Sequence, residues 1–451
     1  MNYLRLFAIT CSLLISTGSL AAGSALDTEV KPYLADDKLT KRAAPLLEIG
    51  DPFLQTGNLS PGFTLPGGAI WQPRLWLYGS ARSSVQAWRD RTGSDQSEWA
   101  NRLDLFANLQ LSGTERLLVG VQPLHRDQQF TGQDFENDET MEAYNDRIRT
   151  LFFEGDFAEL FPWLDRDDSS SNDLGFSVGR QPLFYQDGML INDQLDAIGV
   201  SRNNLRFDNV AWLVSLRIST VFAWNEVHRA NNIEDEDGKL YGVFAQWDTQ
   251  ISTVNTDVVF VQSDDELSGD LWVLGIDSIQ RIGLLNTTFR VNASHSPDQT
   301  SAQSDDGILL FAELSWSPAY TNNNAYINVF AGIDQYRSAA RDPLTGGPLG
   351  RTGILFAARG LGRAPAALSN QADDAFGLAA GYQMFFSGTR RQLIVEAGGR
   401  DSEIQGTGFG AAIRLQQALG NRFVVVLDTF AAHNSEASDS YGIAAELLVK
   451  F

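Results

Sequence analysis

Arginine is the side chain with which this chain is best equipped to bind something. Of its 34 basic residues 29 are arginine and five are lysine. A guanidinium is planar, stays charged at physiological pH, and meets a carboxylate or phosphate through two parallel hydrogen bonds. Arg82, Arg102, Arg116, Arg149, Arg217, Arg290 and Arg414 fall on the polar face of segments in which apolar and polar residues alternate. Asp104, Asp257, Glu396, Asp428 and Glu446 fall on that face too. Two kinds of chemistry fit. In one, the arginines line a path and attract carboxylated solutes through a local field opposed to the formal charge of −22. In the other, they pair with the carboxylates across strands and fill space. Asp104, two residues from Arg102, leans the reading slightly toward the second.

A further arginine group lies outside the alternating segments. Residues 335–374 carry Arg337, Arg341, Arg351, Arg359 and Arg363 against Asp342, Asp373 and Asp374, a net charge of +2 in a strongly acidic chain. The run Ile354-Leu355-Phe356 is out of place in a loop surrounded by water. The stretch is a candidate constriction folded into a lumen, or a cap packed on neighbouring loops. Residues 123–146 and 225–238 are acidic and are candidate sites for divalent cations, although neither has the twelve-residue calcium-loop spacing. His125, His228, His295 and His433 all map to long connections, and sequence alone pairs none of them with a nucleophile. No catalytic residue, cofactor or dedicated metal site is expected, and the chain reads as a non-enzyme.

The elements that must position these residues have a period of two rather than 3.6. Leu103, Leu105, Ala107, Leu109 and Leu111 share one face, with Arg102, Asp104, Asn108 and Gln110 on the other. Around Arg290 the pattern repeats, with Phe289, Val291 and Ala293 against Asn292 and Ser294. About eighteen segments can be marked. They start near Trp71, Arg102, Arg116, Arg147, Leu174, Leu195, Val210, Lys239, Ser252, Asp270, Gly283, Gly307, Ala325, Ala375, Arg391, Phe409, Arg422 and Tyr441. Most have the ~10-residue length of a tilted strand crossing hydrocarbon. Short and long connections alternate, as they do between the periplasmic and extracellular rims of outer-membrane barrels. The last segment alternates from Tyr441 through Ile443, Ala445, Leu447 and Val449 to Phe451. So many strands in one meander have no second sheet to pack on. Closing the sheet and facing lipid satisfies the edges. The expected fold is all-β, a transmembrane antiparallel β-barrel over residues 71–451.

The ends and the composition agree with export. Residues 1–21 read as a secretory signal, with Arg5 followed by an apolar stretch about half the ~20 residues needed to span a bilayer. The only cysteine, Cys11, lies within it, so disulfides are excluded from the mature chain. Residues 22–70 are proline-containing and aperiodic, a periplasmic lead or a plug. The acidity argues against nucleic acid as a partner.

Asn145-Asp-Arg-Ile-Arg-Thr-Leu-Phe-Phe-Glu154, followed by Gly179-Arg-Gln-Pro-Leu-Phe-Tyr-Gln-Asp-Gly188, resembles the alginate-export type of outer-membrane porin. The resemblance spans roughly Arg102 to Phe207 and implies an eighteen-stranded barrel with an arginine-lined path for an anionic sugar polymer. It places Arg149, Arg180 and Arg202 on that path. Strict alternation with Leu174, Phe176 and Val178 puts Arg180 on the lipid side, which calls for a bulge at Gly179 or a position above the bilayer. The expectation is therefore an integral outer-membrane channel for small or polymeric anionic solutes, in contact with membrane lipid and lipopolysaccharide. The alternative is a non-conducting barrel acting through its acidic outer loops. Solute, direction and oligomeric state stay open.

Overall fold

The computed structural model describes residues 31–32, 43–53, 55–56, 59–164, 174–263, 268–297, 301 and 303–451. The proposed signal lies outside them. Eighteen strands form one closed antiparallel barrel. They are β1 (Arg74–Arg89), β2 (Asp95–Gln110), β3 (Arg116–Val121), β4 (Ile148–Asp156), β5 (Leu174–Tyr185) and β6 (Ile191–Leu205). Next come β7 (Leu213–Trp224), β8 (Lys239–Thr249), β9 (Ser252–Gln262), β10 (Leu271–Ile282), β11 (Leu285–His295) and β12 (Gly307–Trp316). The last six are β13 (Asn324–Asp334), β14 (Ala375–Phe386), β15 (Arg391–Ser402), β16 (Gly408–Leu419), β17 (Phe423–Asn434) and β18 (Ser440–Lys450). Closure is between β18 and β1, with Tyr441 opposite Arg89 and Lys450 opposite Ser80. No sheet edge is left open along that seam.

The strand count and most starting points match the alternation. The largest shifts are β2, which begins at Asp95 rather than Arg102, and β6, at Ile191 rather than Leu195. The β2 extension pairs with Gln129–Asp134 of the following connection, and the β6 extension belongs to a hairpin tip that pairs with β5 and with residues 340–341, so neither carries the alternation of a wall strand. Outward positions such as Val258, Leu274, Ile276, Val291 and Ile443 are apolar and exposed. Phe222, Tyr241, Phe260 and Trp272 sit opposite one another on four successive strands, with neighbouring ring centroids 5.1, 6.4 and 4.6 Å apart. They form an arc of aromatics on the outer parity, the arrangement that girdles of membrane barrels have.

Beside the short β3, the connection from residue 122 to 147 fills the wall. Its strand Gln129–Asp134 pairs with the upper part of β2, Thr131 opposite Asn101 and Asp134 opposite Glu98. At the other rim Leu47–Ile49 pairs with Leu77, Trp76 and Leu75 of β1, and Phe53 meets Trp76 edge-on at 5.0 Å. Most of residues 22–42, and residues 165–173 of the long β4–β5 connection, lie outside the described residues.

One expectation needs correction. Apolar residues are not confined to the lipid face. Leu240, Val259, Val261, Leu271, Val273, Leu309, Phe311 and Phe330 take inward positions and are buried in one cluster with Leu190, Tyr336, Leu349, Leu355 and Phe356 from the loops. The main core thus sits inside the barrel, beneath inserted segments. Burying each such side chain stabilises the insertion by about 1.5–3 kcal/mol.

Candidate functional site

Two segments enter the lumen. The first is residues 335–374, between β13 and β14. Its backbone is stitched to the barrel: Ala340 and Arg341 pair in parallel with Ile191 and Asn192 of β6. The Ile354 and Leu355 amides donate to Glu396 at 2.8 and 2.7 Å, and the Tyr326 hydroxyl donates to the same carboxylate. Gly360 O accepts from Arg82 and Arg102 at 3.3 and 3.2 Å. Gly353 explains why the approach is so close. At φ +57 it adopts the left-handed region, and a Cβ there would lie 2.3 Å from a Glu396 oxygen.

The second insertion is the upper half of the β5–β6 hairpin, which sequence reasoning treats as plain wall. Pairing of β5 with β4 stops at Arg180, and pairing of β6 with β7 starts at Asp196. Between those points residues 181–195 pair only with each other and with the long loop. Released from the wall, the hairpin tip reaches strands β9 to β11. Gln186 donates to Asp257 at 2.6 Å, and Arg290 donates to Gln186 at 3.0 Å and Asp187 at 2.7 Å. The tip and the long loop are joined by Tyr336 and Ser338 hydroxyls donating to Met189 O at 3.0 and 2.6 Å. Two signals could have found this hairpin. Pro182 sits inside a strand, and the turn Gln-Asp-Gly at 186–188 follows it.

Most lumen arginines have a carboxylate partner. Arg82 binds Glu446 at 2.7 Å, Arg102 binds Asp104 at 3.1 Å, and Arg116 pairs with Glu154. Arg290 binds Asp187 and, at 3.5 Å, Asp277; Arg414 binds Asp428 at 2.7 Å. Arg149 stands at an irregularity between Ile148 and Thr150 and pairs with Asp342 of the long loop. Arg217 points inward, is exposed, and has no ion-pair partner among the described residues. Of the two alternatives for Arg180, the bulge is absent: the register runs unbroken through Gly179, although Gly179 takes φ +121. Arg180 stays on the outer parity at the root of the in-folded hairpin, where it meets Asp196 at 3.3 Å and Glu226.

Within the long loop Arg337 binds Asp373 at 2.6 Å, Arg359 approaches Asp428 at 3.4 Å, and Arg363 binds Glu98 at 2.6 Å and Asp134 at 2.8 Å. Arg341 is held by carbonyls alone, Gly346 O at 2.7 Å, Thr345 O at 3.2 Å and Gly188 O. Arg351 is exposed and lies 4.5 Å over the Phe184 ring. Arg400 of β15 donates to Ser369 O and Gln371 O. These last three bring positive charge to the insertion without an ion-pairing carboxylate among the described residues. The acidic outer loops, candidates for divalent cations, are tied into ion pairs. Asp134, Glu226 and Asp235 are engaged by arginines, and among the described residues no three metal-ligating groups come together.

Two loop contacts respond to pH in opposite senses. Hydrogen bonds from Arg363 and Asn137 hold the Asp134 carboxyl down to about 2, so that contact survives mild acid. His228 is buried, which opposes its charge, but Asp193 at 2.9 Å outweighs burial and raises its pKa above the ordinary 6.5. Arg149 works against that rise and Glu234 with it. The His228–Asp193 contact is therefore full below pH 6.5 and lost as pH climbs through the raised value. Amide exchange over residues 225–238, corrected for intrinsic rates, is expected to speed up between about pH 6 and 9 in the native protein and to be flat in His228→Asn.

No family model and no curated protein matches the chain. Solved structures do. It is similar to OccAB2 of Acinetobacter baumannii, at 10% identity over 84% of this chain and 98% of that one, with a TM-score of 0.54. It is similar to OpdL of Pseudomonas aeruginosa, at 11% identity over 84% and 98%, with a TM-score of 0.53. It is also similar to OccK2 (OpdF) of Pseudomonas aeruginosa in complex with glucuronate, at 11% identity over 83% and 98%, with a TM-score of 0.51. At these identities the likeness is one of fold.

Proposed function

We propose that this barrel is a passive outer-membrane channel for small anionic solutes, with carboxylated sugars as the leading class. The observation that carries the reading is the constriction itself. Two insertions narrow the lumen, and the exposed Arg351 with the buried Arg341 and Arg400 brings charge to it that no carboxylate among the described residues pairs, while most wall arginines are neutralised. In a narrow, partly dry passage such charge attracts anions and repels cations. A barrel of the same fold bound to glucuronate lends support to the solute class. The alginate-export reading shares the uronate chemistry but asks for a polymer. A chain of sugar rings needs a wide continuous path, and two packed insertions favour the monomer.

Reversal potential under a KCl gradient tests the reading. The native protein is expected to prefer chloride, and the double variant Arg217→Ala, Arg351→Ala to lower the anion-to-cation permeability ratio about threefold. Cation preference in the native protein, or no change in the variant, removes the argument.

A second reading rests on the apolar packing of the insertions. Leu349, Leu355 and Phe356 have no exposed surface at all. A barrel so filled fits a receptor or structural role played by its outer loops. Absence of conductance steps in planar bilayers would favour it.

A further inference from the structure

Where the β5–β6 hairpin leaves the wall, a pocket opens between β4, the hairpin root and the long loop. Arg126, Arg147, Arg149 and Arg180 line it. Arg126 and Arg147 are about half exposed, so the pocket is reached from the outer mouth. Arg149 and Arg180 are its buried floor. The Asp342 carboxylate already lies on Arg149 within it. Glu226, from the other outer loop, lies on Arg180 and 3.6 Å from Arg147. Both fillers come from loops, whereas Arg149 and Arg180 beneath them come from strands. An independent observation is His125. The residue lines the same pocket, it is 2% exposed, and its Nδ1 has no hydrogen-bond partner.

We infer that this pocket is a binding site for a carboxylate or phosphoryl group, in which Asp342 occupies the ligand's place until the ligand displaces it. The solute class rests on the channel reading above; the pocket rests on its own geometry. A carboxylate exchanged for a carboxylate leaves the charge balance unchanged, so the exchange is not penalised by an uncompensated buried charge. The entering group takes the fork of Arg149 and a hydrogen bond from His125. Burial, with Arg102 and Arg149 nearby, pushes His125 down to about 3, so its imidazole stays neutral and can donate from Nδ1. Displaced, Asp342 no longer ties residues 335–374 to β4, and the loop is loosened at that corner. Because Asp342 competes, the apparent affinity is reduced by the fraction of time the pocket is free.

The experiment is calorimetric titration of the full barrel in neutral detergent with glucuronate and with inorganic phosphate. Asp342→Asn keeps an oxygen to accept from the Leu344 amide, the 2.9 Å contact that caps the following turn, but removes the competing charge. It is expected to bind either probe about tenfold more tightly, and Arg149→Gln about tenfold more weakly, than the native chain. Micelles doped with a diphosphorylated lipid distinguish the source. Displacement of glucuronate by them in the native chain, weakened in Arg149→Gln, makes the ligand a headgroup; no displacement makes it a soluble solute. Binding no tighter in Asp342→Asn overturns the inference, as does absence of heat with both probes in both chains. Chloride preference measured on the same variants keeps the outcomes apart, since the channel reading survives loss of the pocket.

Discussion

Glu396→Ala is expected to raise the single-channel conductance severalfold and make it noisy. Glu396 is fully buried and accepts from two loop amides and the Tyr326 hydroxyl. Removing it leaves three donors facing a void where water enters poorly. Each buried donor left without an acceptor costs roughly 1–3 kcal/mol, which loosens residues 353–356. The barrel itself should persist, because β15 keeps its full ladder to β14 and β16. Glu396→Gln retains an acceptor and should lie between the two. Unaltered conductance in Glu396→Ala, with the variant correctly inserted, would show that the loop is not anchored there.

Ile276→Arg is expected to abolish or strongly reduce insertion into bilayers. Ile276 lies midway along β10, points outward and is 56% exposed to what is proposed to be hydrocarbon. An arginine at the midplane of the lipid face costs about 2–4 kcal/mol. Gln246→Arg on β8, which faces the lumen opposite Arg217, serves as the control and should insert normally. Heat-modifiable migration on gels and the yield of liposome-embedded barrel report both. Equal insertion of the two variants would contradict the inside–outside assignment and with it the membrane reading.

The arginine pairing shows where sequence reasoning stops. That Arg82, Arg102, Arg217, Arg290 and Arg414 point inward follows from the two-residue period, since successive side chains alternate between faces. Which of them keep free charge does not. Arg290 looks like Arg217 on paper, yet Gln186 and Asp187 from a distant turn cover it, whereas Arg217 stays open. Arg149 and Arg180 meet at the pocket only because a strand irregularity turns one inward and a departing hairpin carries the other away from the wall.

From the order of residues alone came the barrel, its count of about eighteen strands, the alternation of faces along them and the rim on which the long loops lie. All of these follow from local rules: a period of two, the length needed to cross hydrocarbon, and the need to close an edge in lipid. What only folding decided is the inside of the barrel. Strand periodicity cannot tell an apolar residue facing lipid from one facing an inserted loop, so Leu240, Val259 and Phe330 read like any membrane-facing position until the loop lies against them. Contacts such as Arg363 with Glu98, or Met189 with Tyr336, join segments more than a hundred residues apart. They arise from three-dimensional closure of the sheet, which no local pattern encodes.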